Sequence, residues 1–404
     1  MTARLVATIA AAQVFAQIGA FAFSALLPTI ISEWNLTYAE AGWLSGIFFG
    51  AYAASVPVLV TLTDRIDAKR IYMLAVAVST VSHLGMMFLA DGFWSAFAFR
   101  VVAGVGWAGT YMVGLKALAD LIEGPAQSRA VSVHAASIGI GGSLSFLIAG
   151  LIGASVDWRW AFAVGAAGTI AAFFTVFLAL PRRSPSAMSR VAQPRLLDFR
   201  PVFRNRSAMA FAIGYFAHTW EMFTVRSWVV VYLTFTLARD GGSAWILPTV
   251  AVMVMEMIGI VTSVGGNEMA IRFGRRRWIL LVMGLCMALA LGVGFSAHWG
   301  YATAVGAFLL YNALIYADSA ALTAGTVGSA EPDRRGATMA VHATFGYFGG
   351  AVGPIVMGLL MGVPGDESVA DWGLAFGHLA VIMAVGPLAL ILLRPKDLPG
   401  DRPT

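Results

Sequence analysis

The stretch FAHTWEMFTVRSWVV, Phe216–Val230, places His218, Glu221 and Arg226 inside an apolar run from about Ala208 to Phe235. Two more carboxylates, Glu256 and Asp318, and a second arginine, Arg100, interrupt other apolar runs. A charge at mid-bilayer costs about 2.5–3.5 kcal/mol on insertion scales, so such residues mark ion pathways, solute sites or internal pairs. Arg226 keeps its proton and can hold a carboxylate or another anion. Glu221, Glu256 and Asp318 can take up and release a proton, and His218 is a further carrier. A carboxylate alternating between a proton and Arg226 would couple proton entry to the movement of a solute. The plain alternative is an internal ion pair that only ties helices together. His218 and Glu221 stand three apart, as metal ligands can, but zinc takes three or four ligands and no matching cluster stands elsewhere. No metal and no cofactor is expected.

Helical spacing groups these residues. At about 100° per residue, Tyr215, His218, Met222 and Arg226 share one face of their helix, while Glu221 lies off that face. Thr249, Glu256 and Ser263 form a stripe at seven-residue spacing, as do Tyr311 and Asp318. Gln13, Gln17 and Ser24 share a face of the first apolar segment. Gln13, Gln17, Arg100, Tyr215, His218, Arg226 and Tyr311 are the candidate substrate-binding residues. Glu256, Asp318 and Glu221 are the candidate proton-coupling acids.

The elements that must position them are membrane helices. The 404 residues are 59% hydrophobic and 12% charged, against about 25% charged in an ordinary soluble protein. Roughly 20 apolar residues cross a bilayer, and twelve such helices are expected: 5–32, 39–62, 70–91, 93–117, 130–153, 158–180, 207–236, 244–266, 278–298, 301–326, 337–362 and 372–393. The first is too long for the apolar core of a signal peptide. Cys286 is the only cysteine, which excludes an internal disulfide.

Lysine and arginine set the orientation. With the N-terminus in the cytoplasm, the outer loops hold only Arg159 and Arg239, and all other loop arginines and lysines fall inside. The net charge of +5 is thereby accounted for without nucleic acid. Both termini are expected to be cytoplasmic, in a bacterial inner membrane.

The chain reads as an all-α polytopic membrane protein of two pseudo-symmetric six-helix bundles, 1–180 and 207–404, joined by a basic cytoplasmic linker, 181–206. VHAASIGIGGSLSFLIAG (133–150) aligns with VHATFGYFGGAVGPIVMG (341–358), and DWRWAF (157–162) with DWGLAF (371–376). Two parallel copies of a six-helix unit are a transporter architecture, with solute bound between them near the midplane. GVGWAG (104–109) has the glycine spacing of a nucleotide fingerprint but lies within a membrane helix, where small residues serve close packing.

TLTDRIDAKR, between helices 2 and 3, resembles the first loop motif of the major facilitator superfamily, with Asp64, Arg65, Lys69 and Arg70 matching and Asp67 standing where glycine is usual. RVVAGVGWAG (100–109) resembles its helix-4 motif, and DWRW opens helix 6 as in that family. Where the family's antiporters carry Gly-Pro in helix 5, this chain has Ser143-Leu144. The resemblance covers essentially the whole chain. It implies alternating access, a cavity lined by helices 1, 4, 7 and 10, and gating by Asp64, Arg65, Lys69 and Arg70.

The expected function is secondary active transport of a small organic solute, leaning to an organic anion, with proton coupling. The alternative is a proton-driven efflux antiporter for drugs or metabolites. A membrane enzyme or sensor on the same scaffold is the weaker reading, since no nucleophile–base constellation is present. The expected partners are a small-molecule substrate, protons and membrane lipids, and the chain is expected to act as a monomer.

Overall fold

The computed structural model describes residues 2–63, 66–122, 125–181, 199–331 and 334–402. The described residues are helical, with no strand among them. Helix is what lipid demands, because it satisfies every backbone N–H and C=O within the segment. The first six crossings are α1 (Thr2–Gln17) with α2 (Ala22–Trp34), α3 (Tyr38–Leu62), α4 (Ala68–Phe88), α5 (Phe93–Ala108) with α6 (Tyr111–Leu121), α7 (Pro125–Ser155) and α8 (Arg159–Ala179). A short α9 (Arg200–Arg204) precedes the second six. These are α10 (Arg206–Arg239), α11 (Pro248–Phe273), α12 (Arg275–Val293), α13 (Tyr301–Tyr316) with α14 (Ser319–Gly328), α15 (Arg335–Leu360) and α16 (Val369–Met383) with α17 (Val385–Leu393).

Eleven of these segments are long and apolar enough to cross a membrane by length and composition. The twelfth, α10, has 34 residues and is long enough, but its polar side chains dilute its hydropathy. Twelve crossings make this an all-α polytopic membrane protein.

Contacts divide the chain into two units. The first holds Met1–Ile30 and Ile47–Pro194. Its glycines allow close approach: a Cβ on Gly104 of α5 would stand 2.2 Å from the Phe48 carbonyl of α3. GVGWAG is thus a packing surface. Asp67 accepts from the Lys69 N–H at 3.0 Å and caps the start of α4, a reason for a carboxylate at a position where glycine is usual in the loop motif.

The second unit holds Ile31–Gly46 and Arg195–Thr404. α10 is its axis, lying along α15 and touching α13, α14, α16 and α17. Asn205 caps α10 through the Ala208 N–H and also donates to the Ser329 carbonyl. Ser368 and Asp371 form a capping box at α16. The C-terminal segment folds back over the basic end of this unit. Asp401 makes a bidentate pair with Arg275 at 2.8 and 2.9 Å, both side chains nearly buried. Arg275 also donates to Asn267 and to the Ala321 carbonyl.

Exposed tryptophans stand at the helix ends opposite the arginine-rich loops: Trp94 and Trp160 in the first unit, Trp245 and Trp299 in the second. Indoles favour the membrane–water boundary.

Four crossings are in two pieces. Residues 18–21 interrupt the first, Gly109-Thr110 the fourth, Ala317-Asp318 the tenth, and Ala384 the twelfth. In the last, Pro387 lacks an N–H and is accommodated in the first turn of α17. In transporters, interrupted helices mark places where backbone lines a site.

Candidate functional site

α10 carries two polar clusters within the second unit. Towards its C-terminal half, Arg226 Nε donates to Glu256 Oε1 of α11 at 3.2 Å, and its Nη2 donates to the other carboxylate oxygen. The Tyr316 hydroxyl, from the last residue of α13, donates to Glu256 Oε2 at 2.7 Å and also accepts from Arg226 Nη2. Gly259, one turn beyond Glu256, leaves room for the Tyr316 ring, which a Cβ there would meet at 2.6 Å. Arg226 and Glu256 are 8% and 3% exposed. The pair is neutral as a whole and its fork geometry is that of Arg–carboxylate recognition.

About two turns earlier, His218 Nδ1 lies 2.8 Å from Asp318 Oδ1. The two are out of line for a hydrogen bond, so neither atom is satisfied by it. Glu221 Oε1 accepts from the Tyr311 hydroxyl at 2.6 Å, and the buried Cys286 lies nearby. Glu221 Oε2, Asp318 Oδ2 and His218 Nε2 have no hydrogen-bond partner among the described residues. All three side chains are buried. The Tyr215 ring stacks on His218 at 5.6 Å and on His342 at 3.9 Å, and His342 Nδ1 meets Thr326 Oγ1 at 2.9 Å.

The helical stripes therefore arrive at different places. Tyr311 and Asp318, seven apart, both reach the His218–Glu221 cluster, and Glu256 reaches Arg226. Tyr215, His218 and Arg226 share a helix face, yet they divide between the two clusters. Tyr316 was not singled out in the sequence. Its only signal was a tyrosine two residues before Asp318 in a polar crossing, and the break at Ala317-Asp318 sends the two side chains to different neighbours.

In the first unit, Trp107 Nε1 donates to Gln17 Oε1 at 2.7 Å, and the Tyr72 hydroxyl donates to Gln13 Oε1 at 3.3 Å. Both glutamine Nε2 atoms are buried without a hydrogen-bond partner among the described residues. An indole N–H only donates, so the Gln17 oxygen must face it and the amide N–H groups must face away. Arg100 lies between the rings of Phe23 and Phe48, 4.6 and 4.5 Å from their centroids. It lines a cavity of about 20 Å3 with Ser79, Ser82 and His83, which is room for about one water.

The expected gating residues are Asp64, Arg65, Lys69 and Arg70. Asp64 and Arg65 lie outside the described residues. Arg70 is exposed. The Lys69 ammonium is buried and donates to the carbonyls of Phe177 and Leu180 at 2.7 and 2.5 Å. It thus closes the C-terminal end of α8, where a cation also meets the favourable end of the helix dipole. Among the described residues no group of three or more His, Cys, Asp or Glu is arranged to hold a metal.

Comparison with known proteins agrees with this architecture. A sequence profile of the Major Facilitator Superfamily matches residues 9–329. Human protein spinster homolog 1 is 24% identical over 270 residues, covering 63% of this chain and 51% of that protein. The chain thus aligns with about half the length of these spinster relatives. A probable 4-methylmuconolactone transporter of Cupriavidus pinatubonensis is 27% identical over 203 residues, 48% of this chain and 45% of the relative. Among solved structures, a nucleoside transporter superposes with a TM-score of 0.78 at 14% identity, covering 96% of this chain and 99% of the other. A bacterial homologue of the human lysosomal transporter Spinster superposes with a TM-score of 0.73 at 15% identity, covering 97% and 95%. With twelve helical crossings, polar clusters inside them and a family profile running through most of its length, the chain belongs to the Major Facilitator Superfamily of membrane transporters.

Proposed function

We propose that this protein is a proton-coupled carrier of a small organic solute, preferentially an organic anion, working by alternating access in a bacterial inner membrane with both termini cytoplasmic. The observation that carries the reading is the charge balance around α10. Arg226 and Glu256 cancel. The other cluster holds two carboxylates, Glu221 and Asp318, against one histidine. Even with His218 charged, two ionised carboxylates would leave a net negative charge in a site removed from water. A buried unpaired charge is costly, and one bound proton removes it.

The Arg226 pair supplies the link to solute. A proton on Glu256 would loosen its hold on the guanidinium and leave a planar fork open to a carboxylate. Proton entry and anion binding would then favour one another. In the first unit the buried amide N–H groups of Gln13 and Gln17 have no hydrogen-bond partner among the described residues, which supports an acceptor-rich solute. The resemblance to a probable 4-methylmuconolactone transporter supports a small organic one.

Uptake into proteoliposomes, with a panel of small carboxylates and an imposed pH gradient, tests the reading. The wild type should accumulate at least one carboxylate when the inside is alkaline, and a protonophore should abolish this. Glu256→Gln should exchange solute without accumulating it. Gradient-driven uptake that survives in Glu256→Gln, Asp318→Asn and Glu221→Gln alike would place coupling elsewhere.

A further inference from the structure

At the basic end of the second unit, a groove of about 490 Å3 opens between the start of α10 and the end of α17. Its polar rim is Arg206, Arg394 and Lys396, all exposed. Its apolar wall includes Ile391 and Leu392, which are 46% and 67% exposed at the end of a membrane crossing. We propose that this groove binds the headgroup of an anionic phospholipid, with the acyl chains running along the α17 wall.

Three features point to an anion here. None of the three cations forms an ion pair among the described residues. Arg206 is the first residue of α10, and the first turn of that helix carries no acid. A helix N-terminus already bears partial positive charge, so an arginine there is unfavourable until an anion joins it. Third, the backbone is shaped to gather the charges. Arg394 adopts a left-handed conformation, with φ 48° and ψ 69°, which is uncommon for a residue with a side chain. The Lys396 N–H then bonds Ser207 Oγ at 3.0 Å, which brings the segment after α17 beside the start of α10.

The positive-inside tendency accounts for cations at this end of the molecule. It does not account for three of them converging on one groove with an exposed apolar wall. Basic pockets between membrane helices are sites for anionic headgroups. The chain's own connection over residues 182–198 is a poor occupant, since it holds four arginines and a single acid, Asp198. Occupancy would neutralise the positive end of α10, the helix that carries both buried clusters.

The test uses the purified full chain in neutral detergent. Binding is read by native mass spectrometry and by the shift in Tm on adding phosphatidylglycerol, phosphatidylcholine with the same acyl chains, or glycerol 3-phosphate alone. Phosphatidylglycerol should bind and raise Tm, and the other two should not. Arg206→Gln, Arg394→Gln and Lys396→Gln together should weaken phosphatidylglycerol binding about tenfold or more. Arg4→Gln, Arg277→Gln and Arg335→Gln together remove the same charge elsewhere and should weaken it less than about threefold. Should the first triple variant fail to fold, Arg206→Gln and Lys396→Gln singly should each show part of the loss. Equal losses in the two triple variants would mean diffuse attraction, and no loss in the groove variants would mean no site. Glycerol 3-phosphate binding as well as the lipid would mean a free-phosphate site. Each of these three results overturns the proposal.

Discussion

Arg226 has a choice of partners that the amino-acid pattern leaves open. Glu221 stands in the same apolar run as Arg226, where helical phase puts it off the arginine's face, and Glu256 and Asp318 stand in other runs on which that phase does not bear. Glu256 takes the position because α11 brings it level with Arg226 and Tyr316 closes the third side. Removing one member of a buried pair strands the other, at about 3–5 kcal/mol. Arg226→Ala should therefore lower Tm clearly, and Arg226→Ala with Glu256→Ala should recover most of it. The same double change with Asp318 or Glu221 should not. Arg226→Lys should keep the fold and the charge but weaken carboxylate binding about tenfold, since the ammonium has no fork. If the Glu256 double variant also regains normal solute affinity, Arg226 is structural only. Detergent melting curves and uptake kinetics on the five variants give both answers.

At the scale of elements, the number and rough limits of the crossings were legible, because apolar length and turn residues carry that information along the chain. Interruptions within crossings were less so. Nothing in the run around Ala317-Asp318 is a strong helix breaker, yet the break there decides that Asp318 reaches His218 while Tyr316 reaches Glu256. Tyr72 and Trp107 were likewise invisible as partners of Gln13 and Gln17, since contacts between helices depend on register that composition does not encode. Glycines are easier to separate once neighbours are known. Gly104→Ala would drive a Cβ into the Phe48 carbonyl, whereas Gly284 has open space around it. Overpacking of a fixed backbone costs about 1–3 kcal/mol. Gly104→Ala should lower Tm by several degrees and Gly284→Ala should leave it unchanged or slightly higher, as melting curves in one detergent can show.

For the molecule as a whole, the two clusters are tied by one uninterrupted helix. The first, fourth, tenth and twelfth crossings each have a break that can absorb bending. The seventh, α10, has none over 34 residues, a rod about 51 Å long. His218 and Arg226 are about 12 Å apart along it, so displacing one displaces the other. A rod transmits a push, while a jointed strut dissipates it. Spin labels at exposed positions on the two ends of α10 should keep one sharp distance at every pH and solute concentration. Labels on either side of the Ala317-Asp318 joint should instead give a distance that broadens or shifts. That outcome would make α10 a stiff link between its two clusters and the four jointed crossings the places where bending is taken up.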